Sequence, residues 1–574
     1  MQEKRDVPSI LAFDSHSAGG PMIQDARTSL GSNVPKFGAS LGLLRKWEHS
    51  FRELADARGF TEVNLPVCGP IERFRSRQTG EILLSAGPRF SDFHGMEWAL
   101  RSDMTAFTVQ FVLEHSSEMA LPAKLFYAGK VFSYLSGENA QSEFSAGHGL
   151  SSGETKIESF EYGAEIIGQE ELAADIEAIN LALQLANAFG YGAITIVVGD
   201  ARVAQSLLKF ATETLPAAER APFVEALSAA LTQRDLLELH RLLQDARLAE
   251  VFEDAVKRSR AHEFLDKLHV NQGTQLTTRF DPWLLRPQKF YSGIVFEIYS
   301  EDSSGNLRWL GGGGRYDTLF THFGRDIPAV GFMMKDPLTT KFDLSLPPSP
   351  TRPLRVALPK GRLAKKALEL FEKVGVQVEV DLESTRKLVI PSTDGKFEFL
   401  LVKNSDVTRY LEEGVCEMGI AGSDVLDEHP SNVLRPATFS FGECRICLAG
   451  LPEMKEKLST LSRPSVASKY VKITRRELRR RGVSCDIIPL QGSVELASVI
   501  HMSHAIVDLV ETGTTLRENG LIIYDELART RVQLAVTRGF YYQHHATLEA
   551  WLQTWQTLGY LKGAHAPIAG VISK

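Results

Sequence analysis

Four prolines fall within the eight residues Leu346-Pro347-Pro348-Ser349-Pro350-Thr351-Arg352-Pro353. Each lacks a backbone N–H, locks φ and restricts the residue before it, so the stretch enters neither a helix interior nor a sheet ladder and reads as a semi-rigid spacer. It divides the 574-residue chain into a first part, 1–345, and a second, 354–574, each long enough for its own core. With 43% hydrophobic residues, two to four globular domains are expected. Lys and Arg number 64 against 71 Asp and Glu, a formal charge of -7, and no basic block stands out beyond Arg475-Arg476 and Arg479-Arg480-Arg481. Extensive nucleic-acid binding is not indicated. The cysteines are an odd five, spread thinly, which argues for reduced thiols and a cytoplasmic setting. Cys444 and Cys447 have the spacing of half a metal or redox site, but Ile446, Leu448 and Ala449 around them read as strand. Charged Glu3, Lys4, Arg5 and Asp6 open the chain in place of an apolar signal core, and no run is long and apolar enough to span a bilayer.

The second part repeats one unit, strand to polar turn to helix. Leu354–Leu358 reads as a strand, Pro359-Lys360-Gly361-Arg362 as a turn, and Leu363–Val374 as a helix closed by Gly375. Lys360 and Arg362 therefore sit at the carboxyl end of a strand, where a parallel sheet presents ligand-binding groups. Cys416–Ala421 empties likewise into Gly422-Ser423-Asp424, and Ser468-Lys469-Tyr470 precedes a helix over Thr474–Arg481. This alternation predicts α/β architecture with parallel sheet. In Ile506–Leu516 a buried strand runs into a turn where Gly513 lets the backbone curl, and Thr512, Thr514 and Thr515 hydroxyls join turn N–H groups around an anion. Asp508 and Glu511 add two carboxylates beside that phosphate cradle. Ribose hydroxyls, a divalent metal or developing positive charge would use them, and the combination points to a phosphoribosyl group.

Leu358-Pro359-Lys360-Gly361-Arg362-Leu363, Gly419 through Asp424, Val466 through Tyr470, Gly492-Ser493-Val494-Glu495 and Asp508 through Leu516 occur in this order. Together they resemble the short-form ATP phosphoribosyltransferase catalytic subunit across about 353–574. The resemblance implies a two-lobed α/β region of the periplasmic-binding-protein type (type II), with lobe I at about 354–443 and 540–574, lobe II at about 444–539, and the active site between them. It implies transfer of phosphoribosyl from 5-phosphoribosyl 1-diphosphate to N1 of ATP, with Mg²⁺ carried on the diphosphate. On this reading Asp508, Glu511, Lys360 and Arg362 are catalytic. The substrate-binding set is Glu511, Thr512, Gly513, Thr514, Thr515, Lys360, Gly361, Arg362, Gly422, Ser423, Asp424, Arg445 and Lys469. Two positions depart from the family pattern: Lys403-Asn404-Ser405-Asp406 lacks an Arg before its Asp, and His504 replaces an acidic residue.

In the first part, Leu100–Ala106, Lys124–Phe132, Ser159–Gly168, Tyr291–Glu297 and Gly312–Asp317 resemble the catalytic core of histidyl-tRNA synthetase, implying an α+β class II domain on an antiparallel sheet. Leu307, Trp309 and Leu310 mark the Gly run as part of a hairpin strand rather than a dinucleotide-binding turn. The region from about 172 to 268 is helix-rich, and its stripe of Leu236, Leu237, Leu239, Leu242, Leu243 and Leu248 reads as core packing. Phe132-Ser133-Tyr134-Leu135 lacks the Arg and Glu of the family's adenylation strand motif, and Gly331 through Leu338 places Pro337 where a helix with an Arg should run. Without those guanidiniums aminoacylation is not expected. Asp103, Thr105, Glu161, Glu165, Arg286, Tyr291 and Tyr316 nevertheless fall where the family surrounds histidine, with Asp103 for a Glu and Glu161 for a Gln. The joint resemblance implies a regulator and a catalyst in one polypeptide: feedback inhibition by histidine, a homo-oligomer, and the first step of histidine biosynthesis. A non-catalytic histidine sensor and a working synthetase are the competing readings.

Overall fold

In a computed structural model the described residues are 38–84, 87–132, 158–170, 172–259, 261–268, 270, 274–284, 290–302, 305–337, 352–379, 387–429, 431–562 and 572–573. The spacer up to Thr351, the Ser133-Tyr134-Leu135 segment, Arg286 and residues 568–571 lie outside them.

The first half contains α1 (Gly38–Asp56), β1 (Thr61–Glu62), α2 (Thr105–Glu114), β2 (Ala123–Phe132), β3 (Glu158–Ile167), α3 (Ala173–Ala188), β4 (Ala193–Asp200), α4 (Leu236–Leu242), β5 (Gln275–Phe280), β6 (Ile294–Glu301), β7 (Leu307–Arg315) and β8 (Ala329–Lys335). The strands form one sheet in the order β1-β2-β3-β8-β7-β6-β4-β5, extended by Ile572–Ser573 from the far end of the chain. Every pair is antiparallel except β1/β2 and β4/β5. This is the expected antiparallel platform, and the Gly run lies inside β7 as expected. Strand β4 was hidden in the helix-rich region, because a short apolar run such as Ile194–Val198 has no period that separates strand from helix.

Side-chain alternation gives the sheet two buried faces. Ile196, Val198, Phe296 and Ile298 point to the core under α1 and α3. Val197, Val295, Tyr299 and Leu307 point the other way, into a core they share with Val356, Leu358, Val532 and Val536 of the second half. Leu236, Leu239, Leu242 and Leu248 are buried in that same shared core, so the leucine stripe is core packing that also joins the halves.

The second half contains β9 (Leu354–Pro359), α5 (Arg362–Lys373), β10 (Val389–Pro391), β11 (Phe397–Val402), β12 (Met418–Gly422), α6 (Ser423–Glu428), β13 (Val433–Thr438), β14 (Cys444–Gly450), β15 (Ser465–Ser468), α7 (Val471–Arg480), β16 (Asp486–Pro489), β17 (Ala505–Val510), α8 (Thr514–Glu518), β18 (Ile522–Thr530), β19 (Val532–Thr537), α9 (Arg538–Gln543) and α10 (His545–Thr557). They build two sheets, β10-β11-β9-β12-β19-β13 and β16-β15-β17-β14-β18. The parallel expectation holds only for β11/β9/β12 and β16/β15/β17; the remaining pairs are antiparallel. The strands that connect the two sheets arrive without a crossover helix, so they run against their neighbours and escape a rule built on strand–helix alternation. Because β19 already belongs to the first sheet, the chain returns there at Thr530–Val532 rather than at 540. Helix α10 then seals that sheet: Trp551 and Trp555 meet Phe371 edge-on at 5.7 and 5.9 Å, and the Trp555 indole N–H donates to the Leu370 carbonyl at 2.8 Å. Cys444 and Cys447 sit on β14 as free thiols, and no group of three or more metal-ligating side chains occurs among the described residues.

Candidate active site and regulatory pocket

The carboxyl ends of β9 and β12 in one sheet meet those of β15 and β17 in the other. Gly361 takes a left-handed φ of +93° at the start of α5, which turns Arg362 across the gap, where its guanidinium donates to Glu511 at 2.9 Å. Both side chains are largely exposed, so this pair is held weakly and is free to exchange for a ligand. Lys469 follows β15, and its ammonium lies 3.4 Å from the Asp508 carboxylate. Burial pushes the Asp508 carboxyl up from its ordinary value, while Lys469 and the Leu509 N–H pull it back down. A half-buried carboxylate beside one lysine is suited to sugar hydroxyls and to positive charge developing at a neighbouring carbon.

The turn after β17 has the anticipated form. Gly513 adopts φ +74°, and the Thr512 and Thr514 hydroxyls stand 3.0 Å apart at the start of α8. Arg517 was missed: its guanidinium donates to the Thr514 hydroxyl at 3.2 Å and to the Thr512 carbonyl at 3.2 Å. Its position three residues after Thr514, one turn along the helix, was the available signal. Arg445 opens β14 opposite Val510, at the same mouth, and lies 3.7 Å from Glu526. Lys360 is exposed at the end of β9. Gly422 and Ser423 close the end of β12, with the Ser423 hydroxyl donating to Thr530 at 3.2 Å. Asp424 is 3% exposed, and its carboxylate accepts from the Thr530 hydroxyl at 2.7 Å and the Tyr470 hydroxyl at 3.0 Å. It ties one sheet to the other from below the open site. His504 lies at the opposite end of its strand from Asp508, where its Nδ1 accepts from the Ser465 N–H at 3.0 Å.

The second cluster lies in the first half. Glu165 on β3 is 1% exposed and gathers three hydroxyl donors: Tyr316 at 2.7 Å, Tyr127 at 2.9 Å and Thr105 at 3.0 Å. Asp103 caps α2 by accepting from the Ala106 N–H at 2.9 Å. Burial pushes the Glu165 carboxyl up to about 7, the nearby Asp103 adds to the rise, and the three hydroxyls oppose it. Glu161, 4% exposed, belongs to the same buried charge group through its influence on Tyr127 and Arg101. Tyr291 packs beside Phe290, whose ring lies 6.1 Å from that of Tyr316. Tyr127 was absent from the expected set, although it sits on the inward-pointing alternation of β2. Gly331 makes the arrangement possible, because a Cβ there would stand 1.5 Å from Glu165 Oε2. Gly331→Ala is accordingly expected to displace Glu165 and destabilise the first half by about 1–3 kcal/mol, the usual cost of overpacking, as thermal unfolding would show.

Two units are thus built from one chain: two α/β sheets whose strand ends bring together Lys, Arg, Thr and carboxylate groups, and an antiparallel platform with a buried cluster of carboxylates and tyrosines. A histidyl-tRNA synthetase family model matches residues 41–272 and 252–335, and an ATP phosphoribosyltransferase model matches 403–557. The ATP phosphoribosyltransferase of Clostridium kluyveri is 39% identical over 185 residues, 32% of this chain and 84% of that one. That of Ruminiclostridium cellulolyticum is 42% identical over 188 residues, 33% of this chain and 88% of the relative. Among solved structures, the ATP phosphoribosyl transferase complex of Thermotoga maritima is 33% identical, covers 36% of this chain and 98% of its own, and has a TM-score of 0.30. A regulatory subunit/histidyl-tRNA synthetase from Bacillus halodurans C is 20% identical over 60% of this chain and 88% of its own, with a TM-score of 0.36. The chain belongs to the ATP phosphoribosyltransferase family, with a histidyl-tRNA-synthetase-family region joined ahead of the transferase. Its activity is transfer of a phosphoribosyl group from 5-phosphoribosyl 1-diphosphate to ATP, in histidine biosynthesis.

Proposed function

We propose that the first half is a histidine-responsive regulator of the transferase in the second, and that the two act as one cytoplasmic homo-oligomeric enzyme. The observation that carries this reading is Glu165, a buried carboxylate held by Thr105, Tyr127 and Tyr316 beside Asp103. Such a cluster suits the ammonium and imidazole of histidine: the carboxylates take the ammonium and the tyrosines orient the ring. In the transferase, the ring nitrogen of ATP already carries its lone pair, so the protein's task is to align two polyanions and stabilise an oxocarbenium-like centre. Thr512–Thr515 and Arg517 take the 5-phosphate, and Asp508 with Glu511 takes the ribose hydroxyls. Lys360, Arg362, Arg445 and Lys469 face the diphosphate and ATP phosphates at the mouth of a cleft of the periplasmic-binding-protein type. Mg²⁺ enters as the diphosphate complex, with substrate oxygens as its principal ligands.

Histidine binding tests the regulatory reading through its pH dependence. Glu165 titrates near 7, above its ordinary 4.5, so the stability it contributes to the empty fold is full below about 4.5 and is lost as pH rises through about 7. The ligand's α-ammonium, which keeps its charge in this range while the imidazole loses its own, reverses that cost when paired with Glu165, so calorimetric affinity for histidine is expected to tighten several-fold between pH 6 and 8. Glu165→Gln should flatten the profile. No heat of binding at either pH would sink the regulatory assignment.

A further inference from the structure

The surface that joins the halves carries charge where apolar contact alone would suffice. Leu307, Leu434, Phe540 and Tyr541 already bury a continuous apolar face there. Within it, the Arg538 guanidinium donates to Glu297 at 2.5 Å, with the two side chains 5% and 3% exposed. The Tyr299 hydroxyl donates to the same carboxylate at 2.6 Å, and the Tyr542 hydroxyl donates to Asp281 at 2.9 Å. Replacing such a pair by apolar groups is often neutral or stabilising, so adhesion does not explain it.

Nor is the cluster closed. Arg538 Nε and Trp283 Nε1 are buried with no hydrogen-bond partner among the described residues. Both residues line a cavity of about 20 Å³, together with Arg234, Asp281, Leu434 and Tyr542, enough for a single water. A second guanidinium, Arg234, faces the same charges and donates to Asn432 of the second half. Buried donors without a protein partner are uncommon in native folds, so a network that keeps them at this junction calls for a role beyond adhesion.

Two strands end at this cluster. Strand β19 starts at Val532, opposite Gly422 of the transferase turn, and finishes at Thr537, immediately before Arg538. Strand β7 finishes at Arg315, immediately before Tyr316 of the acidic pocket, and starts roughly 25 Å away at Leu307. The Leu307 carbonyl is so close to α9 that a Cβ on Gly539 would lie 2.1 Å from it. Glu297 stands on β6 opposite Gly312 of β7. The junction is therefore one strand away from each site.

We propose that Glu297 and Arg538 are positioning residues: their buried pair sets how α9 seats on the first-half sheet, and through β19 it fixes the Gly422–Ser423 turn, so ligand occupancy of the acidic pocket reaches the transferase through this contact. The inference rests on the histidine-responsive reading above.

The test measures histidine binding and histidine inhibition separately on the full-length protein. In Glu297→Gln, calorimetric affinity for histidine is expected to stay within about threefold of the parent, while the half-inhibiting concentration rises at least tenfold. A merely structural role would lower the unfolding temperature without separating the two quantities. Arg538→Lys, which keeps the charge but not the fork, should give an intermediate shift. Should Glu297→Gln fail to fold, Tyr299→Phe removes only the hydroxyl donor and is expected to move inhibition threefold or more in the same direction. Inhibition of these variants at the parent's histidine concentrations would overturn the positioning role and leave the regulatory reading standing. A parent that binds no histidine, or is not inhibited by it, would overturn both.

Discussion

Asp508→Ala is expected to lower kcat for phosphoribosyl transfer by about 100-fold, the scale lost when one preorganised group is taken from a developing charge. The carboxylate lies at the end of β17, half-buried, with Lys469 at 3.4 Å and the Thr512–Thr515 turn directly after it. Burial raises the proton affinity of this carboxyl, and the Lys469 ammonium beside it opposes the rise and favours the charged form. A sugar carbon that gains positive charge there is stabilised more than its uncharged ground state, which makes the effect fall on kcat. The phosphate turn should behave differently. In the proposed site Thr512 would contact the same phosphate in ground and transition states, so in Thr512→Ala KM for 5-phosphoribosyl 1-diphosphate should rise with kcat little changed. Steady-state kinetics of the two variants, side by side, check the distinction; an Asp508→Ala enzyme with both constants intact would remove the carboxylate from the mechanism.

The second large effect concerns Glu165. Glu165→Ala should raise the histidine concentration for half-inhibition at least 100-fold, because it deletes the carboxylate on which Thr105, Tyr127 and Tyr316 converge. Three hydroxyls then lose their shared acceptor, at about 1–3 kcal/mol for each one left buried and unpaired, so a fall in the unfolding temperature should accompany the loss of inhibition. Glu165→Gln separates the effects. The amide oxygen can still accept from the tyrosines, which should recover much of the stability, while the missing charge keeps inhibition weak. Inhibition curves and thermal unfolding of the two variants would show whether charge or packing dominates.

What was legible in the sequence was local. A strand that empties into Lys360-Gly361-Arg362, or into Glu511-Thr512-Gly513-Thr514, declares its turn and the helix that follows within a dozen residues, because turn chemistry and helix starts are written in consecutive positions. The acidic pocket was recognised by its resemblance to a known family, and the structure gathers Glu165, Thr105 and Tyr316 from β3, α2 and the end of β7. Long-range pairing was the blind spot. Nothing near Arg538 shows that its partner is Glu297, 241 residues earlier, and nothing in Leu236–Leu248 says which core receives the leucines. The mixed sheets were misjudged for the same reason, since β14 and β19 are oriented by the sheet they leave rather than by a following helix. Arg517 and Tyr127 carry the opposite lesson: Arg517 stands one helical turn after Thr514 and Tyr127 on the inward alternation of its strand, so periodicity alone places both beside residues of the expected sets. The proline spacer divides the sequence into two parts, yet it does not show that they share one apolar core.

One assay addresses both the transfer and the proposed response to histidine in a single polypeptide. Purified protein is mixed with ATP, 5-phosphoribosyl 1-diphosphate and Mg²⁺, and phosphoribosyl-ATP and diphosphate are followed while histidine is titrated. The expected result is equimolar formation of both products, with a rate that falls as histidine increases and does not recover when either substrate is raised. Absence of phosphoribosyl-ATP at every substrate concentration would contradict the account at its foundation.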